Sequence, residues 1–392
     1  MCTFARMNIE HFLSTTISQV INELFELSSN PNDIILQKTK KEFEGDFTLV
    51  TFPYIKAAKA TPEKTGELIG ERLIKNNPSI TKFNVVKGFL NFSLSNDFWL
   101  NEFKDISKTA NYGIKPAKSS GKQMMLEYSS PNTNKPLHLG HVRNNLLGYS
   151  VATIMKTQGH DVIKVNLVND RGIHICKSMI AWKLFGNGET PQSSGLKGDH
   201  LVGKYYVIFD KEYKKEIQTL IDGGATKEDA EKQAPIMLQT QEMLLKWEAS
   251  DKETIDLWKT MNGWVYDGFA VSYKKLGVDF DKMYYESNTY LLGKEVVQEG
   301  LAKNVFYKKE NGSVAIDLTE DKLDEKIVLR SDGTSVYITQ DMGTAIERFK
   351  EFPAISQMIY TVGNEQDYHF KVLFKILEKL GYAWAKECYH LS

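Results

Sequence analysis

Two histidines, a lysine and a glycine stand close together in residues 127–141 (EYSSPNTNKPLHLGH). His138 and His141 are three residues apart, so they share one face of a helix that begins beside them. Gly140 between them removes a side chain where a flat ring or a phosphate would approach the backbone. Lys135 adds a mobile positive charge, and a helix N-terminus attracts phosphate. This constellation suits the stabilisation of a charged, pentacoordinate α-phosphate, for which positioning and electrostatics do most of the catalysis.

Each part of this segment is a weak signal when taken alone. An isolated H-x-x-H pattern is more often a capped helix start than a functional site. Zinc binding is disfavoured because Cys176 is the only nearby sulfur and no further cluster has the spacing of metal ligands, so we expect no protein metal site. The segment is neither a G-x-x-x-x-G-K-[ST] loop nor a G-x-G-x-x-G turn, which excludes the Walker and dinucleotide motifs.

The elements around the segment predict a doubly wound α/β domain with a parallel sheet. Strand patterns at 124–128 and 162–168 alternate with helical patterns at 139–157 and 173–184. This β-α-β-α order favours parallel strands with helices on both faces. Ligands of such sheets bind at the carboxyl ends of the strands, which is where residues 127–141 begin.

The rest of this domain combines a helical insertion with further strands. Residues 186–200 have the composition of a loop and residues 201–276 are mostly helical, which predicts an insertion at about 186–276. Asp332-Gly333 is a strong turn signal. We predict strands at 283–286, 305–307 and 313–317, a hairpin over Val328–Thr339, a helix from about Met342 to Lys350, a strand at Met358–Val362, a helix at Gln366–Leu380 and an apolar run at Cys388–Leu391.

Residues 1–115 predict a separate α+β domain. A helical stripe runs over Ile9–Leu27, and Thr61 before a proline is typical of a helix N-cap. Short apolar runs flank Lys87-Gly88 as in a hairpin. The polar residues 118–122 (KSSGK) indicate a boundary. We therefore predict domains at 1–115 and 116–392.

Composition indicates a globular chain without a membrane segment. The 392 residues are 42% hydrophobic and 25% charged, which argues against disorder. No apolar stretch approaches the ~20 residues needed to span a bilayer, and the start lacks the pattern of a signal peptide. Cys2, Cys176 and Cys388 are odd in number and far apart, so no disulfide framework is implied. We expect a soluble cytoplasmic protein.

The charge is unevenly distributed along the chain. Lysine and arginine number 49 and aspartate and glutamate 50, so the net charge is −1 and gives no global sign of a nucleic-acid partner. Residues 116–199 carry ten basic and five acidic side chains, whereas residues 200–300 carry 13 and 18. Residues 127–141, whose side chains suit phosphate binding, lie within the basic range 116–199.

Residues 127–141 resemble the signature of class I aminoacyl-tRNA synthetases, in the form typical of the arginyl enzymes. H-x-G-H marks the adenylate-forming site of the class, and the preceding S-P-N and K-P narrow the match. The resemblance continues through 168–172 (VNDRG), 329–341 (LRSDGTSVYITQD) and 363–369 (GNEQDYH). Residues 1–115 look like the additional N-terminal domain of arginyl enzymes, which contacts the tRNA elbow in that family.

The resemblance implies a monomeric arginine–tRNA ligase that uses ATP with Mg²⁺, forms arginyl-adenylate and transfers arginine to the 3′-terminal ribose of tRNA(Arg). It assigns catalysis to His138, His141 and Lys135, and ATP binding to His138, Gly140 and His141. It assigns the arginine site to Glu127, Asn132, Tyr337, Asp341 and Gln366. His369 is expected near the nucleotide, with a core histidine as the alternative.

Physical chemistry agrees with several of these implied roles. A guanidinium needs carboxylate or carbonyl acceptors in fixed geometry. Glu127 ends a buried strand, where a carboxylate is costly unless paired, and we expect a cationic substrate to supply the pair. The alternative for Asp341 is a simple N-cap of the following helix. Asp170 and Arg171 either order the site or form a turn with a local ion pair.

One departure from the family pattern limits the expected activity. No K-M-S-K-S-type loop occurs in the sequence, and the helical anticodon-binding domain of the family does not follow. We therefore expect a truncated enzyme that binds ATP and arginine weakly and aminoacylates poorly or not at all. Two alternatives stay open: another class I synthetase or adenylyl- or nucleotidyltransferase of the superfamily, and a non-catalytic module that binds tRNA or arginine.

Overall fold

The structure, a computed structural model, describes residues 9–290 and 292–392. The predictions for the start of the chain and for Cys2 lie outside the described residues. The chain divides into two compact units, one that ends at Gly113 and one that begins at Ile114. Within the described ranges, no helix has the length and apolar character needed to cross a membrane.

The first unit contains a four-stranded antiparallel sheet with the order β1-β2-β4-β3. The hairpin turns at Lys87 and Gly88, both with positive φ (49° and 80°), and the Thr61 hydroxyl caps the helix that follows it, 3.2 Å from the Lys64 amide. The elements are α1 (Ile9–Phe25), β1 (Leu36–Lys38), β2 (Phe47–Val50), α2 (Ile55–Ala58), α3 (Pro62–Asn76), β3 (Ile80–Val86), β4 (Phe89–Leu94) and α4 (Asn96–Lys108).

The second unit alternates strands and helices and carries a helical insertion between its second and third strands. Its first half comprises β5 (Gln123–Glu127), α5 (Leu139–Thr157), β6 (Asp161–Val168), α6 (Ile173–Phe185), α7 (Pro191–Ser194), α8 (Gly198–Asp222), α9 (Lys227–Gln233), α10 (Pro235–Glu248), α11 (Lys252–Leu276) and β7 (Lys282–Tyr285). Its second half comprises α12 (Glu286–Thr289), α13 (Leu292–Ala302), β8 (Tyr307–Lys308), β9 (Val314–Ile316), β10 (Lys326–Leu329), α14 (Tyr337–Glu351), β11 (Ile355–Thr361), α15 (Asp367–Lys379) and β12 (Cys388–Leu391).

A five-stranded parallel sheet with the order β12-β11-β5-β6-β7 forms the centre of this unit. The chain leaves β5 towards β6 and later returns to the other side of β5 with β11, so the strand order reverses between β5 and β11. In a doubly wound sheet, this reversal opens a crevice at the carboxyl ends of the two strands. The predicted fold class is confirmed, and it places the crevice beside Glu127.

The insertion has its own apolar core. Helices α6, α8, α10 and α11 enclose buried side chains that include Cys176, Met179 and Phe269. Burial raises the pKa of the Cys176 thiol to about 12, so it behaves as a small apolar side chain. Trp258 and Trp264 pack against this core, and Trp247 is buried against Trp258, so the three rings do not form an exposed stacking platform.

Two predictions for the second unit are wrong. Residues 186–200 are not only loop, since they contain α7 and the first residues of α8. Val328–Thr339 is not a full hairpin: it keeps β10 and one bridge from Leu329 to Ser335, after which α14 begins at Tyr337. Packing explains the early start, because the Thr339 hydroxyl donates to the Val328 carbonyl.

Candidate active site

A cleft of about 910 Å³ opens at the carboxyl ends of β5 and β11, where the strand order reverses. Side chains from widely separated parts of the chain line it. The ten residues that the sequence singled out all lie on its wall: Glu127, Asn132, Lys135, His138, Gly140, His141, Tyr337, Asp341, Gln366 and His369. Their individual roles stay predictions.

The two histidines cap the N-terminus of α5 reciprocally. The Gly140 amide donates to His138 Nδ1 at 3.1 Å, and the His138 amide donates to His141 Nδ1 at 3.2 Å. Because each Nδ1 accepts a hydrogen bond, the proton of each neutral ring lies on Nε2. Both rings therefore offer an N–H donor that the helix itself does not use.

His141 is held in its neutral form. Burial, together with the nearby His138 and Lys135, lowers its pKa to about 4. A neutral ring with its proton on Nε2 can donate to a phosphate oxygen without first gaining a charge. The two Nε2–H groups thus lie as hydrogen-bond donors at the N-terminus of α5, and a helix N-terminus favours anions.

Close backbone packing fixes the position of α5 and of the loop before it. A Cβ at Gly148 would lie 2.6 Å from Tyr128 Cβ, so α5 approaches the end of β5 only because this residue is glycine. Likewise, a Cβ at Gly203 of α8 would lie 2.7 Å from Pro136 Cδ. Because Gly203 has no side chain, the insertion can pack against the loop that carries Lys135.

The loop after β5 is strained and is held by a buried polar network. Ser129 and Ser130 both have positive φ (81° and 46°), a conformation that is unfavourable for residues other than glycine. The Ser130 amide donates to Asn166 Oδ1 at 2.9 Å, and Ser129 Oγ lies 2.8 Å from the Tyr273 hydroxyl. Tyr273 also accepts from Asn166 Nδ2 at 3.1 Å, so one network joins β6 and the insertion to the strained loop.

Glu127 already has a cationic partner within the chain. Its Oε2 forms an ion pair with the guanidinium of Arg348, which is 1% exposed, and its Oε1 accepts from Ser130 Oγ at 3.0 Å. Burial lowers the pKa of Arg348, but Glu127, together with Tyr360 and Tyr284, outweighs this and holds the pKa above its usual value. The expectation that a cationic substrate must balance Glu127 is therefore wrong, because Arg348 of α14 does so.

Asp341 and Tyr337 lie one turn apart on α14 and face the cleft. Val336 is the N-cap of this helix, so the alternative that Asp341 is its N-cap is wrong. The Asp341 carboxylate lies 2.7 Å from His369 Nε2 on α15. Tyr337 is 68% exposed, with its ring free to meet a ligand.

Glu286 is a site residue that the sequence prediction missed. It begins α12 directly after β7, lines the same cleft and is partly buried. Burial, and then the nearby Asp341, Asp170 and Glu127, raise its pKa to about 8. A usable signal existed, because Glu286 is the last residue of the strand predicted at 283–286, and ligand-binding residues gather at the carboxyl ends of parallel strands.

Asp170 and Arg171 do not pair with each other. The Asp170 carboxylate accepts from the Ser287 amide at 2.9 Å and from the Tyr266 hydroxyl at 2.9 Å. Arg171 contacts Glu248 at 3.4 Å and lies over the Tyr290 ring. The predicted alternative of an ion pair between Asp170 and Arg171 is therefore wrong. Asp170 instead anchors α12, which carries Glu286.

A second pocket of about 450 Å³ adjoins the cleft and shares several wall residues with it. Lys135, Arg171 and Arg330 give it a cationic lining. His174 also lies on its wall, 3.1 Å from the Tyr206 hydroxyl. In the part of the chain that the structure describes, no group of three or more histidine, cysteine, aspartate or glutamate side chains could hold a metal ion.

Comparison with known proteins gives two family matches. Residues 105–392 match the family described as "tRNA synthetases class I (R), catalytic domain", and residues 11–94 match "Arginyl tRNA synthetase N terminal domain". Among solved structures, the chain is similar to the arginyl-tRNA synthetases of Thermus thermophilus (TM-score 0.63, 20% identity, 98% of this chain and 65% of the other) and Plasmodium falciparum (TM-score 0.64, 18% identity, 98% and 64%). At these identities, the structures show a shared fold.

Curated relatives are much closer in sequence. The arginine–tRNA ligase of Flavobacterium psychrophilum is 58% identical over 396 residues, covering 98% of this chain and 66% of the relative. The arginine–tRNA ligase of Bacteroides fragilis is 56% identical over 386 residues, covering 98% and 64%. The chain thus spans slightly less than two thirds of the length of these relatives. With family matches over residues 11–94 and 105–392, it belongs to the class I arginyl-tRNA synthetase family.

Proposed function

We propose that this chain carries the amino-acid-activating site of an arginine–tRNA ligase. The observation that carries the proposal is the lining of one cleft, which combines a helix N-terminus and its two capping histidines with the carboxyl groups of Glu127, Glu286 and Asp341. The first group suits a triphosphate and the second suits a substrate with two cationic groups. Arginine and ATP have this combination of charges.

In the proposed first step, the arginine carboxylate attacks the α-phosphate of Mg·ATP in line, and pyrophosphate leaves. The Nε2–H groups of His138 and His141, the positive N-terminal end of α5 and Lys135 stabilise the charge that develops on the phosphate oxygens. Mg²⁺ enters with the nucleotide. No side chain is needed as a covalent nucleophile, because the substrate carboxylate supplies the attacking oxygen.

Recognition of arginine divides between its two cationic ends. We propose that Asp341 and Glu286, with Tyr337, hold the guanidinium. Glu127, whose orientation is fixed by Arg348, contacts the α-ammonium together with Asn132 and Gln366. A hydrogen bond to a charged group contributes about 1.5–3 kcal/mol, which is enough for the carboxylates to discriminate strongly against neutral side chains.

In the proposed second step, the 3′-terminal ribose of tRNA(Arg) accepts the arginyl group. Residues 1–115 are proposed to contact the tRNA elbow, as the family resemblance implies. The same resemblance supports the proposal of a cytoplasmic enzyme that acts as a monomer.

Amino-acid specificity tests this proposal. Calorimetric titration of the chain with L-arginine, L-lysine, L-citrulline and agmatine, each with and without ATP, should show that arginine binds most tightly. Citrulline tests the guanidinium charge and agmatine tests the carboxylate. Activation itself is measured as amino-acid-dependent exchange of labelled pyrophosphate into ATP with tRNA added. Equal binding of citrulline and arginine, or exchange driven by another amino acid, would overturn the proposal.

A further inference from the structure

The carboxylate of Asp341 is held from outside α14 by a histidine of the neighbouring helix. His369 Nε2 lies 2.7 Å from Asp341 Oδ2, and the two side chains are 29% and 33% exposed. His369 follows one turn after Gln366, at the start of α15, and lies on the cleft wall rather than in the core. The contact therefore joins α14 and α15 across the edge of the site.

This contact restricts a side chain that is otherwise free to turn. The terminal torsion of aspartate is broad, so an unsupported carboxylate samples many orientations. Asp341 also lies near Glu286, whose pKa it helps to raise, because two ionised carboxylates close together would repel each other. A hydrogen bond from His369 fixes Oδ2 and leaves Oδ1 available to a ligand in the cleft.

We propose that His369 is a positioning residue for the amino acid: it acts through Asp341, whose carboxylate it holds in place for the guanidinium, and it does not bind the nucleotide. The inference rests on the proposed function, since it takes Asp341 as a partner of the arginine side chain. It changes the sequence-based expectation, which placed His369 near ATP. The direct contact with Asp341 carries the reassignment.

The test compares binding of L-arginine, L-citrulline and ATP to three variants of the chain. His369→Ala removes the contact and should weaken arginine binding by about tenfold, while citrulline and ATP change less than about twofold. His369→Gln retains an N–H donor near the position of Nε2 and should recover most of the arginine affinity. His160→Ala is the matched control, because His160 contacts Ser120 outside the cleft.

A double-mutant cycle separates a route through Asp341 from an independent contact. In the Asp341→Asn background, His369→Ala should cost less than about twofold in arginine affinity, because the carboxylate that it orients is gone. Additive losses, or a loss of ATP affinity with arginine unchanged, would overturn the inference. Circular dichroism and the thermal midpoint establish that each variant is folded.

Failure of this inference can be told apart from failure of the proposed function. If the unmodified chain does not prefer arginine over citrulline, the proposed function fails. If it does and His369→Ala leaves that preference unchanged, only the role of His369 is wrong.

Discussion

Glu286 is the residue whose ionisation should respond most directly to the substrate. Its pKa is raised to about 8 by burial and by neighbouring carboxylates, so its carboxyl group is mostly protonated at pH 7. A bound guanidinium would favour the ionised form and lower this pKa. Binding of arginine below pH 8 should therefore release a proton.

We predict that arginine affinity rises with pH up to about 8 and then levels, and that Glu286→Gln flattens this rise. Below the raised pKa, part of the binding free energy is used to remove the proton, and this cost disappears once the group is already ionised. Titration calorimetry in buffers of different ionisation enthalpy measures the proton directly. Glu295→Gln, at an exposed position of α13, serves as the control. Proton uptake, or a pH dependence that Glu286→Gln leaves intact, would contradict this account.

The buried pair of Glu127 and Arg348 makes a second prediction for single residues. Arg348→Met leaves the Glu127 carboxylate buried without its partner and should lower the free energy of unfolding by about 3–5 kcal/mol. Adding Glu127→Gln should recover part of the loss. The exposed pair of Lys252 and Asp256 is the matched control, where Lys252→Met should cost less than about 0.5 kcal/mol. Urea unfolding measures all of these, and equal losses for the two pairs would refute the prediction.

The sequence indicated which residues surround the cleft but not how they are paired. His138, Gly140 and His141 were recognisable because their spacing is local to one helix turn. The partner of Glu127 lies on α14, and nothing in the local pattern of either residue indicates the contact. The link from His369 to Asp341 is likewise tertiary. Glu286 could have been found, since it follows a strand whose carboxyl end faces the crevice.

At the scale of elements, the placement of α5 depends on one glycine. Gly148→Ala would put a methyl group 2.6 Å from Tyr128 Cβ and push the helix away from β5. We predict a loss of about 1–3 kcal/mol in unfolding free energy and weaker ATP binding, because the helix start that carries the histidines moves with it.

The control for this prediction is another helical glycine. Among the described residues, a Cβ at Gly263 of α11 would meet nothing within 4 Å apart from the backbone of its own helix, so Gly263→Ala should stabilise the chain by up to about 1 kcal/mol. Denaturant unfolding and ATP titration of both variants provide the measurement. If Gly148→Ala stabilises the chain as much as Gly263→Ala, the claim that α5 can lie this close to Tyr128 only because residue 148 is glycine is wrong.

Local patterns predicted those elements whose periodicity agrees with their tertiary environment. The helix at 139–157 was expected with the bounds that α5 has, and the strand and helix patterns after it match β6 and α6 closely. The start of α14 was missed because the β-branched residues before Met342 favour a strand locally. There, burial of Ile338 and Met342 against the sheet outweighs local propensity.

For the molecule as a whole, the reversal of strand order brings opposite charges to one cleft. β5 continues into the basic segment with Lys135 and the histidines, whereas β7 and α14 bring Glu286 and Asp341 from the later part of the chain. A net charge of −1 conceals this separation. We propose that the basic residues hold the nucleotide and the acidic residues hold the amino acid, and that both groups act on one arginyl-adenylate.

A stable analogue of that intermediate tests the claim most directly. Calorimetry with an arginyl sulfamoyl adenosine and its citrullyl counterpart compares two ligands that differ in the charge of the guanidinium. We predict that the arginyl compound binds about 100-fold more tightly, in line with charge-assisted hydrogen bonds, and that the double variant Glu286→Gln with Asp341→Asn removes most of this difference. Equal affinities for the two compounds, or a preference that survives both substitutions, would contradict the account.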